Sequence, residues 1–346
     1  MNKVLVTGGA GFIGSNFVHH MLRCYRDLTM VNLDSLTYAG NLGNLSDLKE
    51  DSRHIFIRGS VGDSDLLTEL FSEHAFDAVV NFAAETHVDR SLRDARPFLD
   101  TNLGGTQNLL DAARAGGAGR FVQISTDEVY GSLGEQGRFT EHSPITPNNP
   151  YSATKAGADF LALAAHESHD LDVVITRCSN NYGPFQFPEK LIPLMIGNAL
   201  DDKRLPVYGD GLHVRDWIHV DDHCAAIDTV LRTGRAGEIY NVGSMHDVPN
   251  VEVVKEILHH LGKPESLIQY VEDRPGHDRR YAIDASKIQN ELGWSPTVSF
   301  RDGLKATVEW YVNSKDWLDE IRSGDYQVYY QKMYGDRDRS TGIRPV

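Results

Sequence analysis

At 346 residues, with 40% hydrophobic side chains, the chain has enough apolar content to bury the core of one large α/β unit or of two domains. A formal net charge of −15 argues against a nucleic-acid or anionic-membrane surface. Cys24, Cys178 and Cys224 are scattered outside any C-x-x-C spacing and the fifteen histidines form no H-E-x-x-H, so neither a disulfide framework nor a metal site is expected.

No apolar run approaches the roughly 18 residues of a membrane span, and the first residues run straight into a strand. A soluble, cytoplasmic protein is expected. Lys3-Val4-Leu5-Val6-Thr7 reads as that strand, and Gly8, Gly11 and Gly14 turn it into a helix reaching about Tyr25. Glycines at this spacing allow a tight turn, close backbone approach to a diphosphate at the helix N-terminus, and close packing of helix on strand. A second strand, Thr29 to Leu33, ends at Asp34. A carboxylate there accepts hydrogen bonds from an adenosine ribose and repels a 2′-phosphate, which favours NAD over NADP.

The rhythm repeats with a strand at His54 to Arg58, a helix at Ser64 to His74, a strand at Ala78 to Phe82, a helix at Pro97 to Ala115 and a strand at Phe121 to Ser125. After a Gly- and Pro-rich loop, Asn149 is placed to cap a helix that begins at Pro150 and runs to about His169. A strand at Asp172 to Thr176 follows. Strands and helices alternating over short connections predict a doubly wound, mostly parallel sheet of the Rossmann type.

Two carboxylates, Asp127 and Glu128, come directly after Thr126 at the end of the FVQIST strand, where an open α/β sheet gathers its chemistry. Tyr151 and Lys155 lie four apart, so on a helix they share a face. A nearby ammonium lowers a phenol from its reference pKa of about 10. Taken alone, Y-x-x-x-K also describes an exposed helical pair, and Asp-Glu a solvated turn. Beyond about Pro184 the pattern loosens, with helical runs at Asp221 to Thr233 and Val251 to Leu261 around a strand-like Glu238 to Val242. The expected division is a cofactor-binding domain over 1–185, joined by about 220–245. A smaller C-terminal α/β substrate-binding domain takes 186–219 and 246–335, and 336–346 form a loosely held tail.

The segments TGGAGFIG, NFAAETHVDRS, STDEVYG, PYSATKAGAD, TRCSNNYGP, PEKLIP, YGDGLHVRDW and DRPGHDRRYAID together resemble the extended short-chain dehydrogenase/reductase superfamily. Within it the likeness is to the dTDP-glucose 4,6-dehydratases, from Lys3 to about Tyr311. The resemblance implies NAD, regenerated in each turnover, with dTDP-glucose as substrate. It implies Tyr151 as base toward the sugar C4 hydroxyl, Thr126 bonded to the same oxygen, and Lys155 on the nicotinamide ribose. Glu128 would be the base at C5 and Asp127 the acid at the C6 hydroxyl. The cofactor would further touch Phe12, Ile13, Ser35, Thr37, Ser60, Val61, Phe82, Ala83, Ala84, Thr101 and Asn181. The nucleotide sugar would touch Thr86, Asn180, Lys190, Leu191, Pro206, Tyr208, Arg215, Asn250, Arg274 and His277, with the two arginines forked onto phosphate.

His87 reads equally as a structural histidine, and Arg279 and Arg280 as a surface pair. Ser60-Val61 departs from the acidic-apolar pair usual in the family, which places a hydroxyl where a carboxylate would meet adenine. The resemblance also implies a homodimer through helices near Thr101 to Ala115 and Pro150 to His169, packed as a four-helix bundle. A 4-epimerase of the superfamily needs no acid pair, GDP-mannose 4,6-dehydratase typically has a single glutamate and NADP, and a non-catalytic dinucleotide sensor commonly loses the tyrosine or the lysine.

Overall fold

The computed structural model describes residues 1–273 and 277–322; Arg274 and the tail 336–346 lie outside the described residues. The strands described are β1 Lys3–Thr7, β2 Thr29–Asp34, β3 His54–Arg58, β4 Ala78–Asn81, β5 Arg120–Thr126, β6 Val173–Cys178, β7 Asn180–Tyr182, β8 Leu205–Tyr208, β9 Val214–His219, β10 Ile239–Val242, β11 Asp247–Pro249 and β12 Ile268–Val271. Seven of them form one sheet in the order β10-β6-β5-β4-β1-β2-β3. All its pairings are parallel.

Parallel neighbours require crossovers, and the crossover helices cover both faces. Alternation along the strand decides which side chain meets which helix. Val4 and Val6, Ala78 and Val80, and Val122 and Ile124 pack with the helices Phe12–Cys24 and Val220–Thr233. Leu5, Val79, Phe121 and Val173 face the other way, onto Ser64–Glu73, Thr106–Ala115 and Pro150–His169. Burial on both sides is why these strands read as unbroken apolar runs.

The chain leaves β1 toward β2 and β3 on one side, then crosses to β4 on the other. This opens a crevice at the carboxyl ends of β1 and β4. The glycine loop is built for it. Gly8 has φ +69°, and a Cβ there would lie 2.8 Å from Ala83 N; at Gly14 it would lie 2.3 Å from Gly8 O.

The expected helix from Pro97 to Ala115 is not continuous. A short turn at Arg96–Phe98 leads into a widened π-helical stretch, Leu99–Gly105, before Thr106–Ala115. Tertiary contacts account for the widening. The buried Asn102 side chain accepts from Glu85 N at 2.9 Å and donates to Glu85 O at 3.1 Å and Thr154 Oγ1 at 3.0 Å. Gly105 is pressed onto Val61, where a Cβ would lie 2.4 Å from Cγ2. An extra residue per turn lets both positions face inward.

The remaining strands form a three-stranded sheet, β11-β9-β7, and a parallel pair, β12-β8. They share a separate core with the helices Leu191–Leu200, Asn250–Leu261 and Phe300–Asn313, centred on Tyr182, Met195, Trp217, Ile257 and Tyr311. The helix Val220–Thr233 and β10 return to the large sheet.

Gly14→Ala should destabilise the protein by about 1–3 kcal/mol, because the clash is with backbone that cannot swing aside. Denaturant unfolding checks this; an unchanged midpoint would contradict the close packing.

Candidate active site

A cavity of about 410 Å³ follows the crevice. Gly8, Gly11, Phe12, Ile13 and Gly14 line it from the first loop and helical turn, Asp34, Ser35 and Thr37 from the end of β2, and Ser60 and Val61 from after β3. Phe82, Ala83, Ala84, Thr101 and Asn181 complete the set expected at the cofactor.

The residues fit a dinucleotide. Gly11 caps the helix Phe12–Cys24 without a side-chain hydrogen bond, so first-turn N–H groups remain to face an anion. Ser179 Oγ, Asn180 Oδ1 and Gln186 Oε1 are buried without a described partner in residues that line the same cavity. Asp34 accepts from Ala10 N at 2.9 Å and Leu36 N at 2.8 Å, tying the glycine loop to the segment after β2. Burial raises its pKa against those two hydrogen bonds. Ser60 Oγ accepts from Gly62 N at 3.0 Å, stabilising its own turn.

Thr126 ends β5, and Asp127 and Glu128 open the 3-10 turn Asp127–Tyr130 that follows it. The Thr126 hydroxyl accepts from Glu128 N at 3.2 Å and donates to Asp127 Oδ1 at 3.4 Å. Asp127 Oδ2 is buried with no described partner. Burial, then the charges of Glu128 and Asp216, push the Asp127 carboxyl well above the usual range.

Tyr151 and Lys155 reach the same cavity from the helix Pro150–His169, whose start is fixed by Asn149 accepting from Ser152 N at 2.9 Å. Burial and the Glu128 charge push the Tyr151 phenol well up, with the Thr126 hydrogen bond opposing. Burial lowers Lys155, whose ammonium donates to Ile124 O at 2.6 Å. The phenol therefore moves opposite to the direction that a neighbouring ammonium would give. Desolvation dominates, and Lys155 is anchored to the strand backbone.

Of the residues expected at the nucleotide sugar, Thr86, Thr126, Asn180 and Lys190 line the cavity, Lys190 Nζ donating to Thr86 O at 2.9 Å. Leu191, Pro206, Tyr208, Arg215, Asn250 and His277 are not among its lining residues. Several of these adjoin one another in the second unit. Tyr208 meets His277 edge-on at 5.9 Å, and Asn250 N donates to His213 O at 2.9 Å. Arg215 donates to Asp278 O at 2.8 Å and lies over the Tyr281 ring, and its charge acts on Asp127. Arg279 pairs with Asp210 and Arg280 with Asp247.

His213, Asp273 and His277 each bring a potential ligand atom within 4.8 Å of the others. Their geometry suits a shared carboxylate better than a metal. The two rings stack at 3.7 Å and 13°, so their in-plane lone pairs run side by side instead of converging. Asp273 lies 3.2 Å from one ring and 2.6 Å from the other.

Sequence reasoning missed Ser179, Gln186, Phe187 and Glu189 in the cavity wall. The PEKLIP segment carried the available signal, since it holds a carboxylate beside the expected Lys190.

A family model described as GDP-mannose 4,6 dehydratase matches residues 5–307. A dTDP-glucose 4,6-dehydratase of Xanthomonas campestris pv. campestris (strain B100) is 53% identical over 342 residues, covering 94% of this chain and 97% of the relative. The crystal structure of a dTDP-glucose 4,6-dehydratase from Streptomyces venezuelae with NAD and TYD bound superposes with a TM-score of 0.89 at 52% identity, over 92% of this chain and 99% of that one. A UDP-glucose 4-epimerase from Thermotoga maritima with UDP-glucose has a TM-score of 0.85 at 28% identity, over 90% and 99%.

The raised Asp127 carboxyl gives a signed pH dependence. Below the ordinary carboxyl value of about 3.9 both folded and unfolded chains hold the proton; above it the unfolded chain ionises first, so this residue costs native stability as pH rises. Asp127→Asn removes that cost. Urea titrations at rising pH from about pH 4 should show the stability difference moving in the variant's favour until the folded carboxyl ionises; a constant difference would contradict the shift.

Proposed function

The chain belongs to the dTDP-glucose 4,6-dehydratases of the extended short-chain dehydrogenase/reductase superfamily, and from that premise we infer an NAD-dependent hydro-lyase that converts dTDP-glucose to dTDP-4-keto-6-deoxyglucose and water. The observation that carries the reading is the acid pair, Asp127 and Glu128, sharing one cavity with Thr126, Tyr151 and Lys155. A 4-epimerase uses the last three without the acids.

NAD supplies the acceptor for hydride from sugar C4 and returns it to C6, so it leaves each turnover as it entered. Tyr151 takes the proton of the C4 hydroxyl, Thr126 hydrogen-bonds that oxygen, and Lys155 holds the nicotinamide ribose. Burial and Glu128 keep the phenol protonated, so its proton loss follows movement of the Lys155 ammonium from Ile124 O toward the phenol, which leaves Glu128 free to act as base at C5.

A ketone at C4 acidifies the C5 proton, which Glu128 removes and gives back to C5 when hydride reaches C6. Asp127, kept protonated by burial, donates to the C6 oxygen as it departs in water. Elimination needs an acid and a base together, and a buried carboxyl beside a half-buried one supplies one of each. Lys190, Arg215, Arg274 and His277 then hold the nucleotide diphosphate, with Thr86 and Asn180 at the sugar and Leu191, Pro206, Tyr208 and Asn250 around the rest. In this reading 1–185 with about 220–245 binds the cofactor, and 186–219 with 246–335 binds the nucleotide sugar.

The same reading includes a homodimer built on the helices near Thr101 to Ala115 and Pro150 to His169. Exposed apolar side chains support it: Phe160 is 54% exposed, Leu92 45% and Leu99 44%. The cytoplasm is the proposed compartment, which the unpaired state of Cys24, Cys178 and Cys224 supports. Among the described residues no helix is long and apolar enough to cross a membrane.

The purified protein, given dTDP-glucose and no NADH, should yield a product lighter by one water in mass spectrometry. Asp127→Asn and Glu128→Gln should each slow it by about 10²–10⁴. Inversion at C4 with unchanged mass would overturn the dehydratase reading, and reaction only with another nucleotide-glucose would overturn the base. Phe160→Asp should convert a dimer to monomer in light scattering; a wild-type monomer would contradict the assembly.

A further inference from the structure

Glu189 is a carboxylate buried in the cavity wall that the reaction above does not use; its side chain is 1% exposed. Two segments far from it in sequence converge on it. Tyr38, from the loop after β2, donates its hydroxyl to Oε1 at 3.0 Å. Arg90, from the helix Val88–Arg93, donates through Nε and Nη2 to Oε2, each at 3.3 Å. The Arg90 guanidinium also lies 3.8 Å from the centroid of the Tyr38 ring. That ring packs edge-on against Phe187 at 5.5 Å.

The position of Tyr38 gives this cluster a purpose. Thr37, Ala39 and Gly40 line the cavity beside Asp34, whereas Tyr38 is absent from the lining and reaches Glu189 instead. Phe187 and Glu189 line the cavity from another segment of the chain. The phenol thus fastens the loop beside the ribose acid to a segment next to Lys190. A buried carboxylate held by a forked guanidinium and a hydroxyl is expensive to break, because each lost partner leaves charge desolvated.

We propose that Tyr38, Arg90 and Glu189 form a clasp across the cavity wall that retains NAD between turnovers. The proposal rests on the reading of this cavity as an NAD site whose cofactor is restored in each cycle. Such an enzyme has no need to exchange NAD, so a wall that must open for exchange can be fastened without slowing turnover. Tyr38, Arg90 and Glu189 are positioning residues that act through the loop they hold.

The test follows bound NAD, which requires no sugar substrate. Wild type, Tyr38→Phe, Glu189→Gln and the double variant are loaded with NAD and desalted, and the nucleotide that remains is measured over time. Tyr38→Phe should lose NAD about tenfold faster than wild type. The double variant should lose it less fast than the product of the two single effects, since both substitutions break one contact. Turnover lost on desalting should return when NAD is added back. Equal retention by wild type and Tyr38→Phe would overturn the clasp, as would a Glu189→Gln defect that added NAD does not repair, which would place Glu189 on the sugar. Wild type that holds no NAD even before desalting would overturn the cofactor reading itself.

Discussion

A parallel sheet covered on both faces gives polar side chains few places to gather, and the rest of this structure follows from that constraint. The strand interiors are apolar on both sides, and the functional hydroxyls and carboxylates sit where the strands end. One ion pair does penetrate. Asp159 and Arg177, 0% and 2% exposed, meet at 2.9 Å behind the active-site helix, and Arg177 also donates to Tyr130 Oη at 3.0 Å. Asp159 lies one helical turn beyond Lys155, and its charge opposes the lowering of Lys155 by burial. Desolvation therefore sets the direction of the shift at Asp127, Tyr151 and Lys155. It holds Asp127 and Tyr151 protonated and leaves Lys155 less basic.

The same constraint explains what was legible in the sequence. β1 and β3 are short apolar strands bounded by turns, and the glycine loop's chemistry is local, so they read directly from the residues. The acid pair was legible because it abuts the end of β5. The break in the helix after Pro97 was not. Its cause lies in Asn102 bonded to Glu85 and in Gly105 pressed on Val61, contacts that sequence spacing does not encode. Glu189 escaped for a similar reason, since its partners Tyr38 and Arg90 are 151 and 99 residues away.

The Tyr151 and Lys155 pair teaches a further lesson. Helical spacing placed both on one face, yet the expected depression of the phenol assumed that the ammonium dominates. Full burial and a neighbouring carboxylate outweigh it, and Ile124 O holds the ammonium. Spacing predicts proximity; dielectric surroundings decide what proximity does. The separation of the two units has the same character, because Thr126, Asp127 and Glu128, which line the cavity, sit at a strand end of the large sheet while β8, β9 and the helix at Asn250 come from a separately cored unit. One frame can thus serve several nucleotide-sugar reactions, and in the proposed reading the strand-end acids choose among them.

The central claim is that oxidation at C4, elimination across C5 and C6 and reduction at C6 occur in one cavity without exchange of cofactor. Its most direct test is the fate of deuterium placed at C4 of dTDP-glucose, read by NMR of the product in the presence of added unlabelled NAD. The account predicts deuterium at C6 of the same sugar. Deuterium in the added cofactor pool or lost to solvent would contradict it.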